Sequence, residues 1–165
     1  MLTADEVRQL LKLQPLEHEG GWFAETYRSA LALPADRDAG APRPLASAIY
    51  YLVEPGAFSA LHRLGTDEIF HFYLGDPVEM LQLGPGTESG VLRLGADLAA
   101  GERPQAVVPA GVWQGTRLVP GGRWALLGTT MAPAYAVADF ELGRRGDLAA
   151  RWPARRALIE ALSRG

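Results

Sequence analysis

The 165-residue chain has no cysteine and only three histidines, His18, His62 and His71. Two of them fall in one stretch, which runs from Gly56 to Gly75 through His62, Leu64, Glu68 and His71. His62 and Leu64 are two residues apart, so on a strand both point the same way. Glu68 follows the turn Gly65-Thr66-Asp67 and would face them from the next strand. A carboxylate set among Ile69, Phe70 and Phe72 is costly to bury unpaired. His62 and Arg63 are its nearest candidate partners. A histidine titrates near neutral pH and suits proton transfer, and a neighbouring carboxylate orients it. Burial and mutual attraction act in opposite directions on such a pair, which tends to leave one proton shared. His62 therefore reads as a general base or a metal ligand, with Glu68 as its partner or second ligand. The plain alternative is a structural ion pair at a turn. Ser59 has no oriented base in the sequence and is no nucleophile. Gly84-Pro-Gly86 lacks the spacing and the lysine of a phosphate loop.

Strands must position these residues, and the sequence is punctuated accordingly. Glycine and proline number 19 and 12, spread along the chain between short apolar segments, the rhythm of an all-β sandwich or barrel. Strands are expected over residues 22–28, 46–53, 56–61, 68–74, 78–83, 90–94, 105–108, 112–118, 124–130 and 136–142. Thr3 and Glu6 form a capping-box pattern ahead of a short helix over 4–12. Residues 34–44 read as an exposed loop, and 147–164 as a helical segment on the outside of the barrel. Trp22, Trp113 and Trp124 read as core. One domain over residues 1–165 is expected from the length. A net charge of −3 argues against nucleic-acid binding. The absence of cysteine excludes disulfides, thiolate metal sites and cysteine nucleophiles. No apolar run reaches a membrane span and no signal peptide is visible, so a cytoplasmic location is expected.

The spacing around His62 and Glu68 resembles the first signature of the cupin superfamily, in which two histidines and a glutamate bind a metal. Here Leu64 occupies the second ligand position. Pro109-Ala-Gly111 followed by Gln114 resembles the second signature, with glutamine where a histidine binds. The resemblance narrows further. Glu19-Gly-Gly-Trp-Phe-Ala-Glu-Thr-Tyr-Arg28, Ser47-Ala-Ile-Tyr-Tyr51, His62-Arg63, Asp67-Glu68, Gly101-Glu-Arg-Pro-Gln105, Val108-Pro-Ala-Gly-Val-Trp113 and Asp139-Phe-Glu-Leu142 resemble the fifth cupin family. These small proteins are related to dTDP-sugar 3,5-epimerases. The family writes His-Phe-His where this chain has His71-Phe72-Tyr73. The resemblance implies an all-β cupin jelly-roll barrel with short flanking helices, paired as a homodimer.

The candidate catalytic residues are His62, Glu68 and Tyr73, with Tyr27 as an alternative proton donor at the rim. The candidate binding residues are Glu25, Tyr27, Arg63, His71 and Gln114. His71 alternates oppositely to Glu68 on a regular strand and would then face away. No cofactor is firmly implied. A divalent metal stays open, and its ligands would be His62, Glu68 and Gln114, a set short of the usual two histidines and one carboxylate. No tightly bound structural metal is expected. Two readings follow. The first is an isomerase- or epimerase-like enzyme acting on a carbohydrate-related or other small polar substrate by His/Glu acid–base chemistry. The second is a non-catalytic small-ligand binding or sensor module. A weakly metal-dependent cupin enzyme is a further alternative.

Overall fold

The computed structural model describes residues 2–34 and 42–164. Most of the expected loop over 34–44 lies outside them. The chain opens with helix α1 (Ala4–Leu11). Its capping box is complete: the Thr3 hydroxyl accepts from the Glu6 amide and the Glu6 carboxylate accepts from the Thr3 amide. Lys12 closes the helix in the left-handed conformation.

Strands then follow in the order β1 (Gln14–Pro15), β2 (Trp22–Arg28), β3 (Ala32–Leu33), β4 (Arg43–Pro44), β5 (Ser47–Val53), β6 (Phe58–Arg63) and β7 (Glu68–Gly75). After these come β8 (Val78–Leu83), β9 (Ser89–Leu94), β10 (Gln105–Val108), β11 (Trp113–Leu118), β12 (Ala125–Met131) and β13 (Glu141–Leu142). They form two antiparallel sheets, β1-β2-β5-β12-β7-β10 and β13-β6-β11-β8-β9, plus the small pair β3-β4. Sequence neighbours such as β6 and β7 lie in different sheets, so the chain crosses between layers as a jelly roll does.

Alternation decides what each face buries. Tyr51 and Val53 of β5, Phe70 of β7, Val78 and Met80 of β8, and Ala125 and Leu127 of β12 form the core between the sheets. The opposite faces are covered by helices. Leu52 and Leu126 meet Val7 of α1, together with Trp124. Leu61, Leu81, Leu83 and Trp113 meet Leu148, Trp152, Ile159 and Leu162 at the C-terminal end.

Two expectations need correction. Residues 136–142 are no continuous strand: a 3-10 turn spans Val137–Asp139 and only β13 pairs, with Arg63 and His62. The helical segment at the end is broken into α2 (Arg145–Arg151), a 3-10 turn at Pro153–Arg155 and α3 (Arg156–Ala161). Pro153 lacks the amide that would continue α2.

Candidate functional site

The strand that carries the key histidine starts and ends two residues later than the spacing suggests, so His62 lies within β6 rather than after it. Its neighbour β11 pairs Gln114 with His62 but Thr116 with Ser59. Two residues of β11 thus oppose three of β6, a β-bulge. The bulge turns Ser59 and His62 to one side, although they are three positions apart. Both reach Glu19: the Ser59 hydroxyl donates to Glu19 Oε1 at 2.7 Å, and His62 Nε2 lies 3.9 Å from Glu19 Oε2.

Glu19 is placed by the two glycines after it. Gly20 and Gly21 have φ of 110° and 73°, in the region that favours glycine. A Cβ on Gly20 would strike the Phe58 carbonyl, and one on Gly21 would lie 2.7 Å from the Leu52 carbonyl. The segment is therefore pressed onto the sheet. The Ala60 amide donates to the Glu19 carbonyl at 2.8 Å, and the Tyr51 hydroxyl to the Gly20 carbonyl at 3.0 Å.

His62 is 1% exposed and stacks on Phe140 with ring centres 5.1 Å apart. Its Nδ1 donates to the Ala60 carbonyl at 2.7 Å, since a carbonyl can only accept. Nε2 is left to face the interior. Gln114, equally buried, bridges the site. Its Nε2 donates to Glu68 Oε2 at 2.5 Å and to His62 Nε2 at 3.3 Å, while its Oε1 has no partner.

Glu68, Glu19 and Glu25 reach the wall of a cavity of about 270 Å³. Phe23, Ile49, Leu64, Met131 and Phe140 give it an apolar surround. Burial raises the Glu68 carboxyl above its ordinary value, and the charge of Glu19 raises it further. His62 and hydrogen bonds from Gln114 and Thr129 act against this but do not overcome it. Tyr135 also lines the cavity, and its phenol is raised by burial and then by Glu19, Glu68 and Asp139.

The structure thus gathers His62, Glu68 and Gln114, with Glu25 on the cavity wall. The other candidates stand elsewhere. A second bulge, in β2 between Glu25 and Tyr27, sets Tyr27 opposite Ala48 and leaves it 55% exposed. Glu25 and Tyr27 therefore do not share a face. Tyr73 lies on the outer side of β7, over Gly128, whose missing side chain makes the room. His71 is on that same outer face, with Nε2 3.2 Å from the Thr130 hydroxyl and a ring parallel to Tyr73. Arg63 points outward over Trp113 and pairs with Glu141. Sequence reasoning gave no role to Glu19, Tyr135 or Phe140. The Glu19-Gly-Gly string was the one signal for the first of these, because paired glycines mark a close backbone approach.

The cupin signatures place a metal among these positions, but the residues here do not fit one. Leu64 brings only hydrocarbon. The Gln114 amide nitrogen, a donor, faces the two atoms that a metal would need, His62 Nε2 and Glu68 Oε2. Among the described residues no group of three His, Asp or Glu side chains could hold a metal ion.

Two sheets enclosing a polar-floored cavity, with the signature residues on β6, β7 and β11, define a cupin barrel. Residues 5–143 match the family described as Cupin superfamily (DUF985), and the chain belongs to that family. A solved structure from Shewanella oneidensis is similar at 36% identity over 99% of both chains, with a TM-score of 0.88. A hypothetical protein from Leishmania major is 27% identical over 99% of this chain and 100% of its own, also with a TM-score of 0.88. A dTDP sugar isomerase from Desulfovibrio desulfuricans shares the fold at 14% identity, a TM-score of 0.52, and coverage of 80% and 87%. No curated protein matches the chain. Among the described residues no helix is long and apolar enough to cross a membrane.

Proposed function

We propose that the protein binds a small polar molecule in the barrel cavity and exchanges protons with it through Glu68, supported by His62 and Gln114. One observation carries this reading. Glu68 reaches the cavity wall while its other side is held by the buried Gln114–His62 pair. A carboxyl raised by burial keeps its proton to a higher pH than an ordinary one, which suits a general acid–base group. Tyr135, also on the wall, is a second donor in reach of the same space.

Proton exchange at a carbon beside a carbonyl needs no more than this. A carboxylate at Glu68 removes the proton, and the electron pair of the broken C–H bond passes to the carbonyl oxygen as an enolate. Return of the proton by Glu68 restores the substrate, with solvent exchange as its trace, while delivery to the opposite face by the Tyr135 phenol gives the epimer, and solvent then returns the Glu68 proton to the Tyr135 oxygen. The mostly apolar wall supports a second reading, binding without turnover.

Solvent exchange separates the two. A thermal-shift screen of small keto and hydroxy compounds provides binders, which are then incubated with the protein in D₂O and followed by NMR. The acid–base reading expects deuterium at the carbon beside the carbonyl with wild type and at least about 100-fold less with Glu68→Gln. Binding without deuterium uptake leaves the sensor reading. Binding that survives unchanged in Glu68→Gln and His62→Ala moves the site elsewhere.

A further inference from the structure

The cavity has a chemical bias that its fold relatives' names do not suggest. Three carboxylates, Glu19, Glu25 and Glu68, reach its wall, and among the described residues no lysine or arginine does. Arg28 is engaged on Glu25, with Nη2 2.7 Å from Oε2. Arg43 is turned to Asp139 and to the Ala134 carbonyl. Arg164, beside Gly20, donates to the Glu17 carbonyl at 2.7 Å, and among the described residues none of these three arginines lines the cavity. Among the described residues, His18 is the one side chain with a titratable nitrogen on the wall.

The hydrogen-bonding capacity is biased the same way. Glu19 Oε1 is used by Ser59, but Oε2 has only His62 Nε2 at 3.9 Å, beyond hydrogen-bond range. Gln114, 1% exposed and hydrogen-bonded to Glu68 through Nε2, leaves Oε1 without a donor. The cluster therefore has acceptors to spare. An acceptor-rich interior bearing like charges is stabilised by a cation or a strong donor and repels an anion. Phe140, stacked on His62, adds an aromatic ring to the same wall, and aromatic faces attract cations.

We propose that the cavity receives a small organic cation whose protonated nitrogen sits between Glu19 and Glu68, with its hydrocarbon part against Phe23, Ile49 and Phe140. The assignment rests on the cavity being a binding site, as proposed above, and adds the class of ligand. A phosphate-bearing sugar nucleotide or a small dicarboxylate would meet carboxylates with, among the described residues, no lining arginine to answer it.

A size-matched series tests the charge alone. Cyclohexylammonium, cyclohexanol and cyclohexanecarboxylate are titrated into wild type, Glu19→Gln, Glu68→Gln and Leu64→Trp, with binding followed by calorimetry and ligand-observed NMR at pH 7.5. The cation is expected to bind at least about tenfold tighter than the alcohol, and the carboxylate weakest. Glu19→Gln should remove most of that preference while the alcohol's affinity stays within about twofold. Glu19→Gln keeps the Ser59 contact and guards against a Glu68→Gln chain that fails to fold. Leu64→Trp, which fills the cavity, should abolish all binding. If the alcohol or carboxylate binds best in wild type and Leu64→Trp abolishes it, the cavity is a binding site and the cationic assignment is overturned. If no probe binds wild type at millimolar concentration, both readings are overturned. Affinity for the ammonium that is indifferent to Glu19→Gln also overturns the assignment.

Discussion

At the scale of single residues, Glu68 carries most of the consequence. Its carboxyl is raised above its ordinary value of 4.5 by burial and then by Glu19. Between that value and the raised one, the folded chain holds a proton that the unfolded chain has released. Stability from this group therefore falls as pH rises across the window. Glu68→Gln cannot ionise, so its stability relative to wild type should increase with pH from 4.5 upward. Urea unfolding of both proteins at a series of pH values checks the sign, and a constant difference would be inconsistent with it. Gln114 is the complementary case. Gln114→Leu leaves Glu68 Oε2 and His62 Nε2 without their shared donor and should cost about 1–3 kcal/mol. Much of this residue pattern was legible in the sequence. The turn between His62 and Glu68 put these two on facing strands, while Gln114 was readable only through the resemblance to the second cupin signature. Glu19 was not legible as a partner, since its approach depends on a loop folded back over β5 and β6.

At the scale of elements, bulges decided which expectations carried over. Alternation assigns faces only on regular strands. The bulge in β2 after Glu25 separates Glu25 from Tyr27, and the bulge in β6 turns Ser59 inward beside His62. Nothing in either segment's composition announces an extra residue. His71, on the regular part of β7, obeys alternation and lies on the face opposite Glu68, and Tyr73 joins it there although the β7–β12 register shifts between Phe72 and Leu74. The glycine pair shows how an element's closeness reaches the site. Gly21→Ala puts a Cβ 2.7 Å from the Leu52 carbonyl at a φ of 73°. Strain of this kind costs about 1–3 kcal/mol. Because residues 16–21 must then lift from the sheet, Glu19 should lose both Ser59 and His62. Gly21→Ala is expected to lower the melting temperature and to weaken binding in the cavity together. A drop in stability with cavity binding intact would show that Glu19 is held by something other than this close approach.

At the scale of the whole molecule, the remaining question is what covers the part of the larger sheet's outer face that α1 leaves open. The resemblance implies a homodimer, and the apolar start of β2 at Trp22-Phe23 is one surface a partner sheet could use. Those side chains are occupied. Trp22 donates to Glu54 at 2.9 Å beneath the Arg8 guanidinium, and Phe23 lines the cavity. Beyond Phe23, β2 has β5 as its only strand partner among the described residues, and its other edge carries the Glu25–Arg28 pair; charge on an edge discourages strand addition. A better contact lies on the outer face, where Leu2, Leu10, Tyr73 and Leu74 surround a shallow hollow with Tyr50 and Leu126. Leu10 is 68% exposed and Leu74 53%. Contiguous apolar area on a folded surface favours contact with a partner, and two copies related by a twofold axis would cover it with the same patch. Light scattering at micromolar concentration should therefore give twice the 17.8 kDa chain mass. Leu74→Arg should give a monomer with its cavity and core unaltered, since the Leu74 side chain faces outward. A wild-type monomer would refute the pairing, and a Leu74→Arg dimer would place it on another surface.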